Sequence, residues 1–258
     1  MPPVPSDDRG LTLGDGLFET VLAKGGALVL LDAHLARLAR GCAELGLPAP
    51  DLDAARVLMA PAAEPGPRIA VRLTVTAGSG GRGVDRPAAP ALRMIATSAP
   101  APLPEGPARL ATSTVRRNAG SPASRLKTLA YLDNVLARRE ARAAGADEAL
   151  MLNGAGEAAC AAVANIFWIK GGRLFTPALD CGVLAGVMRA EVMAIAGRRG
   201  VEVREVRSSP AAILEADGAF LTSSLVGVRP VCELDGVGLG EDPLIEAFGA
   251  AVRDAGLA

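Results

Sequence analysis

A two-domain chain of mixed α/β (α+β) class is predicted by three observations. Apolar β-compatible runs and amphipathic helical patterns are interspersed without strict alternation, which disfavours a doubly wound sheet. A breaker cluster, Ser98-Ala-Pro-Ala-Pro-Leu-Pro-Glu-Gly-Pro107, and a second turn-forming stretch over Arg116–Arg125 divide the chain. Its 258 residues, 50% hydrophobic and 21% charged, suffice for one large domain or two modest ones and exclude disorder as the main state. The boundaries that follow are a smaller N-terminal domain over 1–107, an interdomain linker and loop over 108–125, and a larger C-terminal domain over 126–258.

After a Pro-rich start, Leu17–Ala23 and Ala27–Leu31 are β-compatible, and Gly25-Gly26 between them tolerates the positive φ of a hairpin turn. Asp32 reads as the N-cap of a helix in which Leu35, Leu38, Cys42 and Leu45 recur at spacings of three and four until Gly46. A shorter helix over Asp51–Ala60 precedes strands at Arg68–Thr76, Ala91–Thr97 and Ala108–Val115. Lys127–Ala144 reads as a long helix with Leu129, Leu132, Val135 and Leu136 on one side and Gly145 as its stop. Strands follow at Glu148–Asn153, Ala158–Val163, Ile166–Lys170 and Arg173–Thr176, the last pair joined by Gly171-Gly172. The pattern then gives helix at Met188–Arg199, strand at Val201–Val206, helix at Pro210–Ala216, strands at Ala219–Ser223 and Val228–Leu234, and a final helix after Pro243. No internal repeat is visible.

Composition removes several functional classes. Lys plus Arg number 27 against 28 Asp plus Glu, so there is no excess cation to displace counterions from nucleic acid. The longest apolar stretches, such as Ala27–Leu31 and Ile69–Val75, are far below the ~20 residues that cross a bilayer, and the N-terminus lacks the basic and apolar regions of a signal peptide. A cytoplasmic location is therefore expected, with no nucleic-acid or membrane partner. Cys42, Cys160, Cys181 and Cys232 are too scattered for a metal knuckle and are expected to be reduced. With His34 as the only histidine, a catalytic dyad or multi-histidine metal site has almost no raw material. Chemistry must rest on Lys, Arg, carboxylates, thiols, hydroxyls and backbone amides, or on a cofactor.

Four local patterns carry chemical meaning. Gly78-Ser-Gly80-Gly-Arg-Gly83 fits G-x-G-x-x-G, but Val-Asp-Arg-Pro follows where a dinucleotide site needs a helix; a flexible loop carrying Arg82 to an anion, or a plain hairpin turn, are the alternatives. Lys127, between Leu126 and Leu129, is a candidate amine nucleophile, because apolar surroundings favour the neutral form; the plain alternative is a solvated charge. Gly186 before a helix start lets free amides converge on an anion, and simple helix entry is the alternative. Thr222-Ser223-Ser224 ends an apolar strand and offers hydroxyl donors, although such runs often only terminate strands. His34 reads as a surface or capping residue.

Taken in order, Asp8-Arg9-Gly10, Gly14-Asp-Gly-Leu-Phe-Glu-Thr20, His34-Leu-Ala-Arg37-Leu38, Gly78–Gly83, Lys127-Thr-Leu-Ala-Tyr-Leu-Asp-Asn-Val-Leu136, Asp147-Glu-Ala-Leu150, Ala164-Asn-Ile-Phe167, Thr176-Pro177, Gly186-Val-Met-Arg189 and Leu221-Thr-Ser-Ser224 resemble the class IV, or fold type IV, pyridoxal-phosphate enzymes. The resemblance runs from about Asp8 to Pro243. It implies two α/β domains with pyridoxal 5'-phosphate between them, usually in a homodimer, acting on a small amino substrate. It implies that Lys127 forms the internal aldimine and that Arg37 holds the cofactor phosphate. The amides of Val187 and Met188 and the loop at Ser223 and Ser224 would complete the phosphate cup, while Asn165 matches a motif asparagine with a structural role.

Three departures stand out. The family's glutamate at the pyridine nitrogen, five residues before the asparagine, falls on Cys160, and Glu157 would point to the opposite strand face. The strand that usually precedes Asp-Arg-Gly is missing, so the N-terminus reads as trimmed. Met188 replaces a phosphate-cup threonine, keeping the amide and losing a hydroxyl. Of the tyrosine, arginine and histidine that trap substrate carboxylate in D-amino acid transaminases, the matching residues are Phe18, Arg82 and Val84, so only the arginine survives. Branched-chain aminotransferases carry Phe-Glu-Gly where this chain has Phe18-Glu19-Thr20. The Gly-Ser-Gly-Gly-Arg-Gly loop, compact length and Asn-Ile-Phe-Trp168 segment look most like 4-amino-4-deoxychorismate lyase, which releases pyruvate to leave 4-aminobenzoate for folate biosynthesis. Amino acid aminotransferase of branched-chain or D-amino acid type is the alternative, and a degenerate non-catalytic paralogue the third.

Overall fold

The computed structural model describes residues 3–63 and 66–258; Met1 and Pro2 of the Pro-rich start, and Glu64 and Pro65, lie outside the described residues. The chain divides into two compact units, one running to Pro102 and also taking Leu126–Tyr131, the other made of Leu103–Arg125 and Leu132–Ala258.

In the first unit Arg9–Leu13 forms a five-residue helix (α1), too short for periodicity to reveal; Asp8 caps it by accepting from the Gly10 amide, and Gly14, at φ 67°, ends it. Strands β1 (Gly16–Lys24) and β2 (Ala27–Leu28) make the hairpin across Gly25-Gly26. Helix α2 spans Leu31–Glu44. Its N-cap is Leu30 in a left-handed conformation, with no side-chain cap, so Asp32 lies within the first turn rather than capping it. Helix α3 (Leu52–Met59) is capped by Asp51. Strands β3 (Arg68–Thr76) and β4 (Arg93–Pro100) complete an antiparallel sheet in the order β2-β1-β3-β4. One face of β1 and β3 places Leu17, Val21, Val71, Leu73 and Val75 against Leu35, Leu38 and Cys42 of α2 and Met59 of α3, the core of this unit.

The second unit contains, in chain order, β5 (Ala108–Arg117), α4 (Pro122–Arg125), α5 (Leu132–Ala143), β6 (Glu148–Asn153), β7 (Ala158–Ala161), β8 (Asn165–Lys170), β9 (Arg173–Pro177), α6 (Val187–Arg198), β10 (Val203–Val206), α7 (Ala211–Leu214), β11 (Gly218–Ser223), β12 (Gly227–Leu234), β13 (Val237–Gly238) and α8 (Pro243–Asp254). They build a nine-stranded mixed sheet in the order β10-β9-β8-β11-β12-β5-β6-β7, with β13 beside β12. The pairs β9–β10, β12–β5 and β5–β6 are parallel and the others antiparallel.

Three boundaries differ from the sequence reading, the first being that residues 103–107, placed in the N-terminal domain, belong to the second unit. Residues 108–117, placed in a linker, form β5 between β12 and β6, because Ala108 and Leu110 are buried in the core of the second unit. Residues 126–131, placed in the C-terminal domain, belong to the first unit. The long helix begins at Leu132, not Lys127. The reason is competition for backbone partners: the Phe18 amide donates to Lys127 O at 2.9 Å and the Leu129 amide to Gly16 O at 3.0 Å, so this stretch pairs with β1 instead of coiling.

Candidate active site

The pairing with β1 decides where Lys127 points. Leu17 bridges Thr128 in antiparallel register, which sets Lys127 opposite Phe18. On β3, Thr74 faces Phe18 and Arg72 faces Thr20. Directly paired residues share a sheet face, so Lys127, Phe18, Thr20, Arg72 and Thr74 stand on one side and the core residues on the other. The Lys127 amine lies 4.2 Å from the centre of the Phe18 ring and 5.2 Å from that of Tyr131, and the Arg72 guanidinium carbon lies 3.7 Å above Phe18. Phe18 and Tyr131 meet edge to face at 5.0 Å. Burial, with Arg37 and Arg72 nearby, lowers the Lys127 pKa from 10.5 to about 8, against an opposing pull from Glu19. Lys127 and Arg72 have no ion-pair partner among the described residues. The result is an amine that is readily neutral, hence nucleophilic, beside a cation that can take an acid.

On the opposite face of β1 lies a group the sequence reading did not assign. Glu19 is 1% exposed and accepts from Arg37 Nε at 2.8 Å, Arg37 Nη2 at 2.6 Å and, through Oε2, pairs with His34 Nδ1 at 2.7 Å. Burial alone would raise its pKa; the bonds from Arg37 and His34 outweigh it and bring it from 4.5 down to about 2. His34 is therefore no surface or capping residue: at 1% exposure it is buried against this carboxylate. The signal was present as His-x-x-Arg on α2, two positions three apart on one helix face, opposite an acidic residue in an apolar strand.

The glycine loop leads into β4 and not into a helix, which disposes of a dinucleotide fingerprint. Gly78, at φ 76°, is packed so closely on Ala91 O that no side chain fits. Arg82 is exposed at the loop tip. The stem is held firmly: buried Arg9 donates to the carbonyls of Val84 at 2.7 Å and Asp85 at 2.9 Å, and Asp15 accepts from Arg9 and Arg86, each at 2.9 Å.

In the second unit, α6 opens on a glycine turn with no side-chain cap. Gly186 is its N-cap, and the first-turn amides, those of Val187 and Met188 included, are left without an internal partner. Asn165 donates to Leu184 O at 2.9 Å, and a side chain at Gly186 would run into Asn165 Oδ1 at 2.0 Å, so the asparagine supports the turn into the helix. Across the sheet Asn165 faces Thr222, whose hydroxyl is buried with no hydrogen-bond partner among the described residues. Ser223 ends β11 and Ser224 follows it, both half-buried. Cys160, on β7 opposite Met151, is buried; burial raises its thiol pKa, only partly opposed by Arg117, so it is neutral at neutral pH. Glu157 is turned elsewhere, bonded to Asn153 Nδ2 at 2.7 Å.

A family model described as amino-transferase class IV matches residues 16–234. A putative branched-chain-amino-acid aminotransferase of Methanocaldococcus jannaschii is 34% identical over 237 residues, 89% of this chain and 82% of that protein. Among solved structures, 4-amino-4-deoxychorismate lyase from Pseudomonas aeruginosa aligns with a TM-score of 0.91 and 34% identity over 98% of this chain and 96% of that one. A hypothetical aminotransferase from Mycobacterium tuberculosis in its PLP-bound form aligns with a TM-score of 0.88 and 25% identity, covering all of this chain and 94% of that one.

Proposed function

The chain belongs to the class IV aminotransferase family, an enzyme family dependent on pyridoxal phosphate, and from that premise we propose that it is a 4-amino-4-deoxychorismate lyase with Lys127 as the residue that carries the cofactor. The observation that carries the reading is the Lys127 amine, brought to about 8 in an aromatic and cationic setting. The remaining donors suit the same cofactor. Arg37 and the amides at Val187 and Met188 suit its phosphate, as do Ser223, Ser224 and the unpartnered Thr222 hydroxyl. When bound, pyridoxal phosphate supplies an electron sink for a carbanion at the substrate carbon. With the cofactor bound, the Lys127 amine would take a proton from the amine-bearing substrate carbon and return one as pyruvate departs. Phe18 forms the wall beside that amine, and Arg72 and Arg82 are the cations for substrate carboxylates. The lyase is preferred because the Pseudomonas aeruginosa lyase matches across nearly its whole length and Cys160 offers the ring nitrogen no anion.

Aminotransferase is the second reading, favoured by the archaeal relative. Incubation with aminodeoxychorismate, and separately with an amino acid plus 2-oxoglutarate, separates the two: the first should yield 4-aminobenzoate and pyruvate. Lys127→Ala should abolish both turnover and the borohydride-trapped cofactor peptide. A Lys127→Ala protein that still traps cofactor and turns over would refute the assignment of Lys127.

A further inference from the structure

We propose that Glu19 is a positioning residue that aims the Arg37 guanidinium and sets one negative charge against the cations around Lys127. The row of β1 residues facing α2 is Leu17, Glu19, Val21 and Ala23, and all but Glu19 are apolar members of the core. The facing residue of α2, His34, is likewise surrounded by buried Leu35 and Leu38. An apolar pair at 19 and 34 would pack this interface without desolvating an acid and an imidazole, and such replacements are commonly neutral or stabilising. Packing alone therefore does not explain a buried carboxylate here. What it accomplishes is geometric: the two oxygens take Arg37 as a fork, at 2.8 Å and 2.6 Å, which fixes the plane and direction of a guanidinium that otherwise has several rotamers. His34 Nδ1, at 2.7 Å, holds the second oxygen in place.

The charge effect has a stated sign. Arg37 and Arg72 disfavour the protonated form of Lys127, and Glu19, next to Phe18 on β1 but on its other face, favours it, while the Phe18 and Tyr131 rings lie against the amine. Glu19 itself is faced by Arg37 and His34. Neutralising Glu19 must then make Lys127 more acidic, whereas a mere loosening of the fold would admit water and move the amine back toward 10.5.

The Arg37 half rests on the reading of Arg37 as the phosphate residue; the Lys127 half does not. In the cofactor-free full chain, the pH dependence of Lys127 acylation by acetic anhydride, followed by peptide mass, should move to lower pH by roughly 1 unit in Glu19→Gln and stay in place in Glu19→Asp, which keeps the charge. Both variants should bind pyridoxal phosphate ~10-fold or more weakly, since Gln loses the charge and Asp the reach. An unchanged or raised Lys127 midpoint in Glu19→Gln overturns the charge half, and parent-like affinity in both variants overturns the positioning half. Should Glu19→Gln fail to fold, His34→Gln, which leaves Glu19 charged but unbraced, tests the positioning half by the same titration: parent-like affinity overturns it and a drop supports it. A parent chain that binds no pyridoxal phosphate refutes the functional reading, while the acylation profile still decides the role of Glu19.

Discussion

At the scale of single residues, Arg82 of the first unit and Cys160 of the second differ in how they meet charge. Arg82 is exposed at the tip of a loop whose stem is pinned by Arg9, so its removal should leave the fold intact. Arg82→Ala should raise KM for an acidic substrate by ~10-fold or more while the cofactor spectrum is unchanged; equal KM values would reduce Gly78–Gly83 to an ordinary turn. Cys160 is a neutral buried thiol, and on the proposed reading it stands where an anion would hold the ring nitrogen protonated. Cys160→Glu should raise the transaminase half-reaction relative to lyase turnover, by up to ~10- to 100-fold for a contact of ~1.5–3 kcal/mol. Arg117, which acts electrostatically on the Cys160 thiol and carries no ion-pair partner among the described residues, is available to balance the new charge. If half-reaction and lyase rates both stay at parent values in a folded Cys160→Glu protein, another group serves the nitrogen.

Elements explain why the donors are where they are. Asn165 sits at the start of β8 and holds the turn that opens α6, so on the proposed reading it would serve the phosphate only indirectly. Asn165→Ala should cost a buried hydrogen bond of ~0.5–1.5 kcal/mol and weaken pyridoxal phosphate binding by up to ~10-fold. Equilibrium titration of the cofactor-free protein checks this, and parent-like affinity would show that Gly186 and the helix axis keep their place without the asparagine. A similar dependence holds for Lys127, which owes its direction to an extended stretch zipped to β1 and not to the helix that begins at Leu132.

For the molecule as a whole, two buried groups make stability depend on pH at opposite ends of the scale. Glu19 has a folded pKa near 2 against 4.5, so its carboxylate stabilises the folded state above about pH 4.5, and that contribution is lost as pH falls toward 2. Lys127 has a folded pKa near 8 against 10.5; below 8 its burial opposes folding, and stability should rise between pH 8 and 10.5 as the unfolded chain binds more protons. In the cofactor-free protein Lys127→Met should therefore be more stable at pH 7, by up to ~3 kcal/mol, with the alkaline rise flattened. Denaturant midpoints across this range measure it; a Lys127→Met protein no more stable than the parent would mean that the amine is solvated. No described helix is long and apolar enough to cross a membrane.

Most elements were legible in the sequence because their determinants are local. Alternation along Arg68–Thr76, the spacing of Leu35, Leu38 and Cys42, and the Asp51 cap act over one strand or a few helical turns. Local too were the motifs by which Lys127, Arg37 and the Gly186 turn were singled out. Only tertiary structure decided which backbone Lys127 pairs with, since helix and β1 pairing compete for the same amides and the winner lies more than a hundred residues earlier in the chain. It also decided that His34 is buried and that Glu19, not solvent, faces Arg37. A charged side chain looks alike in a sequence whether water or a distant counter-charge satisfies it, and only packing β1 against α2 settles which one does.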